Sequence, residues 1–199
     1  MKVAIIKYNA GNIMSVDYAL QRLGIKAIIT DDFETISTAD RVIFPGVGEA
    51  STTMHYLKER KLDRLIAGLK QPVLGICLGL QLMCRHSEEG NTDCIGIFNE
   101  EVKKFQPAKS HDMQIKVPQM GWNNIYNLKG DLFRGDMGNH FTYFVHSYYA
   151  ASGEDTIAFC EYGIPFSAAL HRDNFYATQF HPEKSGKPGA RILKNFIEL

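Results

Sequence analysis

The segment Val73-Leu74-Gly75-Ile76-Cys77-Leu78-Gly79-Leu80-Gln81 constrains the fold more than any other. An apolar run of the kind buried on both faces ends at Ile76. A cysteine follows, and Leu78-Gly79 leads into a pattern that opens a helix. A strand that turns directly into a helix is the repeating unit of an α/β sheet. With a nucleophile at the turn it becomes an elbow, here with cysteine where hydrolases place serine. Such a turn crowds backbone around its central residue, so side chains at 75 and 79 would collide and glycines stand there. Free cysteines are usually small buried hydrophobes, and Cys84, Cys94 and Cys160 are read that way.

The rest of the first half repeats the same unit. Lys2-Val3-Ala4-Ile5-Ile6, Ala27-Ile28-Ile29 and Arg41-Val42-Ile43-Phe44 read as strands, the third broken by Pro45-Gly46. Ile13, Val16, Leu20 and Leu23 recur at helical spacing, and Gly24 closes that helix. Residues 49–70 predict one or two helices. From about Lys103 to Phe180 the pattern changes to short alternating segments with tight turns, which predicts antiparallel strands. Ser185 to Leu199 predicts a final helix, with Pro188 in its first turn and Ile192, Leu193 and Phe196 facing inward. The expected fold is a three-layer α/β domain spanning residues 1–199. It has a mostly parallel central sheet, helices on both faces, and antiparallel strands added in the second half.

Composition narrows the function. Lys plus Arg and Asp plus Glu number 22 each. No basic field exists to attract nucleic acid or an anionic membrane. No apolar run is long enough to span a bilayer, and the start reads as a strand rather than a signal peptide. The four cysteines are spaced neither as a disulfide framework nor as a zinc site. A reducing, cytoplasmic setting is expected, with no metal and no cofactor.

In parallel sheets ligands bind beyond the carboxyl ends of the strands. Pro45-Gly46-Val47-Gly48 leaves one such end, and its backbone N–H groups, with that of Leu78, are placed to form an oxyanion hole. A cysteine nucleophile needs a base. Among seven histidines, His181 stands out because it follows the strand-like Tyr176-Ala177-Thr178-Gln179-Phe180 and precedes Pro182-Glu183. A carboxylate beside an imidazole fixes its tautomer and stabilises the imidazolium. His55, His86, His111, His140 and His171 lack such context, and His146 is given only local hydrogen bonding.

The elbow with His181-Pro182-Glu183 resembles the class I glutamine amidotransferases. A sharper likeness, to the branch formed by the glutaminase subunits of imidazole glycerol phosphate synthases, rests on further stretches. These are Asn9-Ala10-Gly11-Asn12, Pro45 to Ala50, Pro118-Gln119-Met120-Gly121-Trp122-Asn123, Tyr143 to Tyr149, and the ending Lys184-Ser185. The resemblance implies L-glutamine as substrate and Cys77, His181 and Glu183 as the catalytic triad. It implies oxyanion donors at Val47, Gly48 and Leu78, and glutamine contacts at Gly46, Gln81, Glu89, Ser147 and Tyr148. It also implies a cyclase partner, a (β/α)₈ barrel that receives ammonia, docked on Gln119, Met120, Trp122, Asn123 and Lys184. Trp122 reads equally as a core residue. Val47 stands where many relatives have glycine. Its β-branch hinders peptide reorientation, which points to a loop that switches when the partner binds.

Competing readings are weaker. An amidotransferase serving pyridoxal phosphate synthesis would carry Gly-Gly-Glu-Ser in place of Gly-Val-Gly. Stand-alone cysteine hydrolases usually place histidine directly after the nucleophile, where this chain has Leu78. A non-catalytic subunit on the same fold has no need of the intact triad. The stretch from Asn99 to Met113 departs most from the family pattern.

Overall fold

A computed structural model of the chain describes residues 1–8, 12–110 and 113–199. The first half alternates as expected: β1 (Val3–Ile6), α1 (Ile13–Arg22), β2 (Ala27–Thr30), α2 (Phe33–Ser37), β3 (Arg41–Gly46), α3 (Ala50–Glu59), α4 (Leu62–Gly68), β4 (Val73–Cys77) and α5 (Leu78–Met83). Strands dominate the second half. They are β5 (His86–Ser87), β6 (Thr92–Asp93), β7 (Glu101–Lys104), β8 (Ala108–Ser110), β9 (Met113–Ile115), β10 (Gln119–Tyr126), β11 (Phe141–His146), β12 (Tyr148–Ala150), β13 (Thr156–Glu161), β14 (Pro165–Arg172) and β15 (Phe175–Thr178). Helix α6 (Gly186–Ile197) closes the chain. Asn9, Ala10, Gly11 and His111 lie outside the described residues.

Nine strands form the main sheet in the order β11-β10-β13-β14-β15-β4-β3-β1-β2. Pairing is parallel from β15 through β4, β3 and β1 to β2, and antiparallel from β15 outward to β11. Successive residues of β1 point to opposite faces. Val3 and Ile5 pack with Val16 and Leu20 of α1 and with Ile192, Leu193 and Phe196 of α6. Ala4 and Ile6 pack with Ile36 of α2, Met54 and Leu57 of α3, and Leu62 and Ile66 of α4. Each face is thus an apolar layer under helices, which makes the domain three-layered. A smaller sheet, ordered β12-β7-β5-β6, flanks the edge of α5.

Two expectations are corrected. Strand β3 does not stop before Pro45 but runs through Gly46, pairing Pro45 with Ile76 and Gly46 with Cys77. Proline removes a donor only; the Pro45 carbonyl remains and accepts a 2.5 Å hydrogen bond from the Tyr8 hydroxyl. Strand β15, inside the region expected to be antiparallel, lies parallel to β4. A tight turn with Asp173 at φ 53° reverses the chain after β14, so β15 enters the sheet aligned with β4. That reversal matters for the site: residues 77 and 181 leave the same end of neighbouring parallel strands.

Candidate active site

Cys77 occupies φ 54°, ψ −106°, a strained conformation for a residue with a Cβ. The surrounding fold holds it there. Gly79, in the first turn of α5, lies so close to β3 that a Cβ would reach 2.0 Å from the Phe44 carbonyl oxygen. The strand–helix pair therefore closes on itself only with glycine at 79, and that closeness sets Cys77 at the sheet's carboxyl edge.

His181 and Glu183 are fixed from the other side. The His181 N–H donates to the Tyr143 carbonyl at 2.9 Å. The Ser185 hydroxyl donates to the His181 carbonyl at 2.6 Å and accepts from the Tyr143 N–H at 2.9 Å. The His-Pro-Glu turn is thereby pinned to β11, and His181 is fully buried. Its Nδ1 lies 2.8 Å from Glu183 Oε1. A carboxylate can only accept, so Nδ1 carries a proton and Nε2 is the nitrogen left for proton transfer. Nε2 is buried and has no hydrogen-bond partner among the described residues.

Cys77 Sγ points toward the Val145 carbonyl at 3.8 Å and receives the Gln179 amide at 3.8 Å. Burial disfavours the His181 imidazolium, but the neighbouring Cys77 sulfur, by its charge and by hydrogen bonding, and then the Glu183 carboxylate outweigh it and push its pKa up to about 10. The pKa is raised on folding, from about 6.5 in an unfolded chain. The stabilisation it brings is therefore complete below about pH 6.5 and is lost as pH rises through 10. The denaturation midpoint of the wild type is expected to fall across that window, and that of His181→Asn to fall much less. Parallel profiles for the two proteins would contradict the assignment.

A cavity of about 310 Å³ opens beside the sulfur. That is within the ~300–1,000 Å³ usual for small-molecule sites. Val47, Gly48, Leu78, Gln81, Glu89, Ser147 and Tyr148 line it, as does Cys77 itself. Gly46 lies just behind it, buried under the Tyr8 hydroxyl and Leu78, where a Cβ would collide. The Gln81 amide nitrogen is occupied by Tyr148 O at 2.8 Å and Gln179 Oε1 at 3.1 Å. Glu89 Oε2 accepts from the Ala50 N–H at 2.8 Å, and burial holds its carboxyl above the usual carboxylate range.

Several contributors escape sequence reading. Gln179 bridges Gln81 and Cys77 from the strand run that also delivers His181. His146, by contrast, makes the local hydrogen bond expected of it, donating from Nδ1 to Tyr148 O at 2.7 Å; it also lines the cavity, and burial lowers its pKa to about 4. It stays a neutral wall. Asn12 contacts Glu183. Its only sequence signal is its place in the Asn9–Asn12 stretch.

The expected docking residues separate by register. Met120 and Trp122 are 65% and 56% exposed, and Lys184 is exposed. Gln119 is 3% exposed and Asn123 bonds the Glu161 carbonyl, so Gln119 is corrected to a core position. Trp122 is not a core residue. Among the described residues no cluster of His, Cys, Asp or Glu could hold a metal ion, and no helix is long and apolar enough to cross a membrane.

The glutamine amidotransferase class-I family model matches residues 5–199. The chain belongs to the class I glutamine amidotransferases. Among curated relatives, the imidazole glycerol phosphate synthase subunit HisH of Bacteroides fragilis (strain YCH46) is 66% identical over 199 residues, covering all of both chains. The subunit of the same name from Escherichia coli (strain K12) is 45% identical over 201 residues, again covering both in full. Among solved structures, a glutamine amidotransferase from Thermotoga maritima is 16% identical. It superposes with a TM-score of 0.62, covering 100% of this chain and 81% of that one. That likeness speaks for the amidotransferase fold.

Proposed function

We propose that the chain is the glutaminase subunit of imidazole glycerol phosphate synthase, working in the cytoplasm with a cyclase partner in histidine biosynthesis. The observation that carries the chemistry is the cavity that joins Cys77 to the 47–48 loop, with the His181–Glu183 pair buried behind it.

Glutamine enters with its side-chain amide at Cys77 and its α-ammonium at Glu89. Cys77 Sγ, its proton held on His181 Nε2, attacks the amide carbon. The negative oxygen is held by backbone N–H groups of Leu78 and the 47–48 loop. As the C–N bond breaks, Nε2 returns the proton to the leaving nitrogen, giving ammonia and a γ-glutamyl thioester. Water, deprotonated by Nε2, then attacks the thioester. Glutamate leaves and the thiol regains its proton. Glu183 holds the Nδ1–H throughout.

Ammonia passes to the cyclase, a (β/α)₈ barrel, which uses it to make imidazole glycerol phosphate and AICAR. The exposed Met120, Trp122 and Phe141 support a docking face on this side. In the resting geometry Sγ faces the Val145 carbonyl. We infer that docking and nucleotide binding turn an N–H of the Val47 loop inward and complete the oxyanion hole.

The test is glutamate release by the chain alone and with the cyclase, each with and without the nucleotide ligand. Slow release alone and a rise of about a hundredfold or more with loaded partner are expected. No release under any condition removes the glutaminase reading; a full rate from the isolated chain removes the gating.

A further inference from the structure

Asn12 stands at the N-cap of α1, the place where an asparagine side chain ordinarily accepts from its own helix. Here it does not. Its backbone adopts φ 71°, ψ 0°, and its side chain makes no cap hydrogen bond. Instead Nδ2 donates to Glu183 Oε1 at 2.5 Å and lies 3.5 Å from His181 Nδ1. The acceptor is a carboxylate, so the amide nitrogen must be the atom that faces it. Glu183 Oε2, by contrast, is buried and has no partner among the described residues. Two donors, the His181 Nδ1–H and the Asn12 amide, thus converge on one oxygen and together fix the carboxylate's rotation.

From this we infer that Asn12 is a positioning residue of the glutaminase reaction, acting through Glu183. Its bond is charge-assisted and partly buried, of the class that holds geometry well. Without it, the carboxylate can turn toward its unpartnered side and the Nδ1 tautomer of His181 loses its anchor. The helix gives up its own cap for this contact, and the chain accepts a left-handed non-glycine residue. Both costs are local, and both place the amide on the triad.

The substitutions Asn12→Gly and Asn12→Asp separate this role from a structural one. Glycine suits φ 71° and is a fair cap; aspartate tolerates that conformation and caps as well as asparagine. Neither can donate to Glu183, and aspartate repels it. The inference rests on the glutaminase reading, so glutamine hydrolysis is measured in the complex with the cyclase and nucleotide, beside ammonia-driven synthesis. Expected are a kcat loss of about tenfold or more for Asn12→Gly and a larger loss for Asn12→Asp. KM for glutamine should stay within about twofold, with ammonia-driven turnover and melting temperature near wild type. An aspartate variant with wild-type kcat, or a loss confined to KM, overturns the assignment; should the aspartate variant not fold, a glycine variant with wild-type kcat overturns it equally. A wild-type complex that releases no glutamate sinks the underlying reading, which the variants alone cannot do.

Discussion

Replacing Cys77 with alanine is expected to abolish glutamine-dependent synthesis by the complex and to leave ammonia-dependent synthesis unchanged. Removal of the nucleophile costs as much as removal of the whole triad. In triad hydrolases the loss approaches a millionfold, because the remaining members act only through the nucleophile. The elbow geometry makes the variant a clean one. Cys77 is 6% exposed, and its sulfur makes long contacts, at 3.8 Å, to Val145 O and the Gln179 amide. Alanine adds no atom to the strained turn and removes only the sulfur. The fold, the exposed face at Trp122 and a cyclase's own active site should survive. The two measurements therefore diverge: glutamate release falls to background while added ammonium salt restores product formation. Loss of both activities would mean that Cys77 supports the complex rather than the reaction.

The elbow was legible because its signals are local. A buried strand, two flanking glycines and a helix start lie within one short segment, and backbone sterics link each to the next. His181 with Glu183 was legible for the same reason, as a histidine and carboxylate separated by a rigidifying proline. Long-range contacts were not. Asn12 reaches Glu183 across most of the chain, and nothing near residue 12 announces that its cap is vacant. Strand β10 misleads in another way. Its inward positions are Gln119, Gly121, Asn123 and Ile125, and its outward ones include Met120 and Trp122. Hydropathy assigns such a strand to the wrong face, because a surface that awaits a partner is patterned like a core. Pro45 shows a third limit. A proline ends a strand only where its missing donor is needed, and here the Tyr8 hydroxyl meets the carbonyl that remains.

Gly79→Ala is expected to damage the fold and the chemistry together. The new methyl would lie 2.0 Å from the Phe44 carbonyl oxygen and 3.1 Å from its carbon. Those are backbone atoms of β3, which is paired on one side to β1 and on the other to β4. No side chain can swing away to make room, so either α5 lifts from the sheet or the central strands part. Overpacking of this kind costs about 1–3 kcal/mol or more, a large part of the ~5–15 kcal/mol that holds a domain together. For a chain of this size the melting temperature should drop by roughly 10 °C. The molecules that remain folded should also lose glutaminase activity. Lifting α5 moves the Leu78 N–H away from the 47–48 loop and relaxes the turn that holds Cys77 at φ 54°. Gly68→Ala serves as the control, since a Cβ there meets nothing within 4 Å. It should melt at or slightly above the wild-type temperature. A Gly79→Ala protein with wild-type melting and turnover would show that the elbow's closeness is incidental. The expected result makes one glycine responsible both for seating the helix on the sheet and for placing the sulfur where glutamine can reach it.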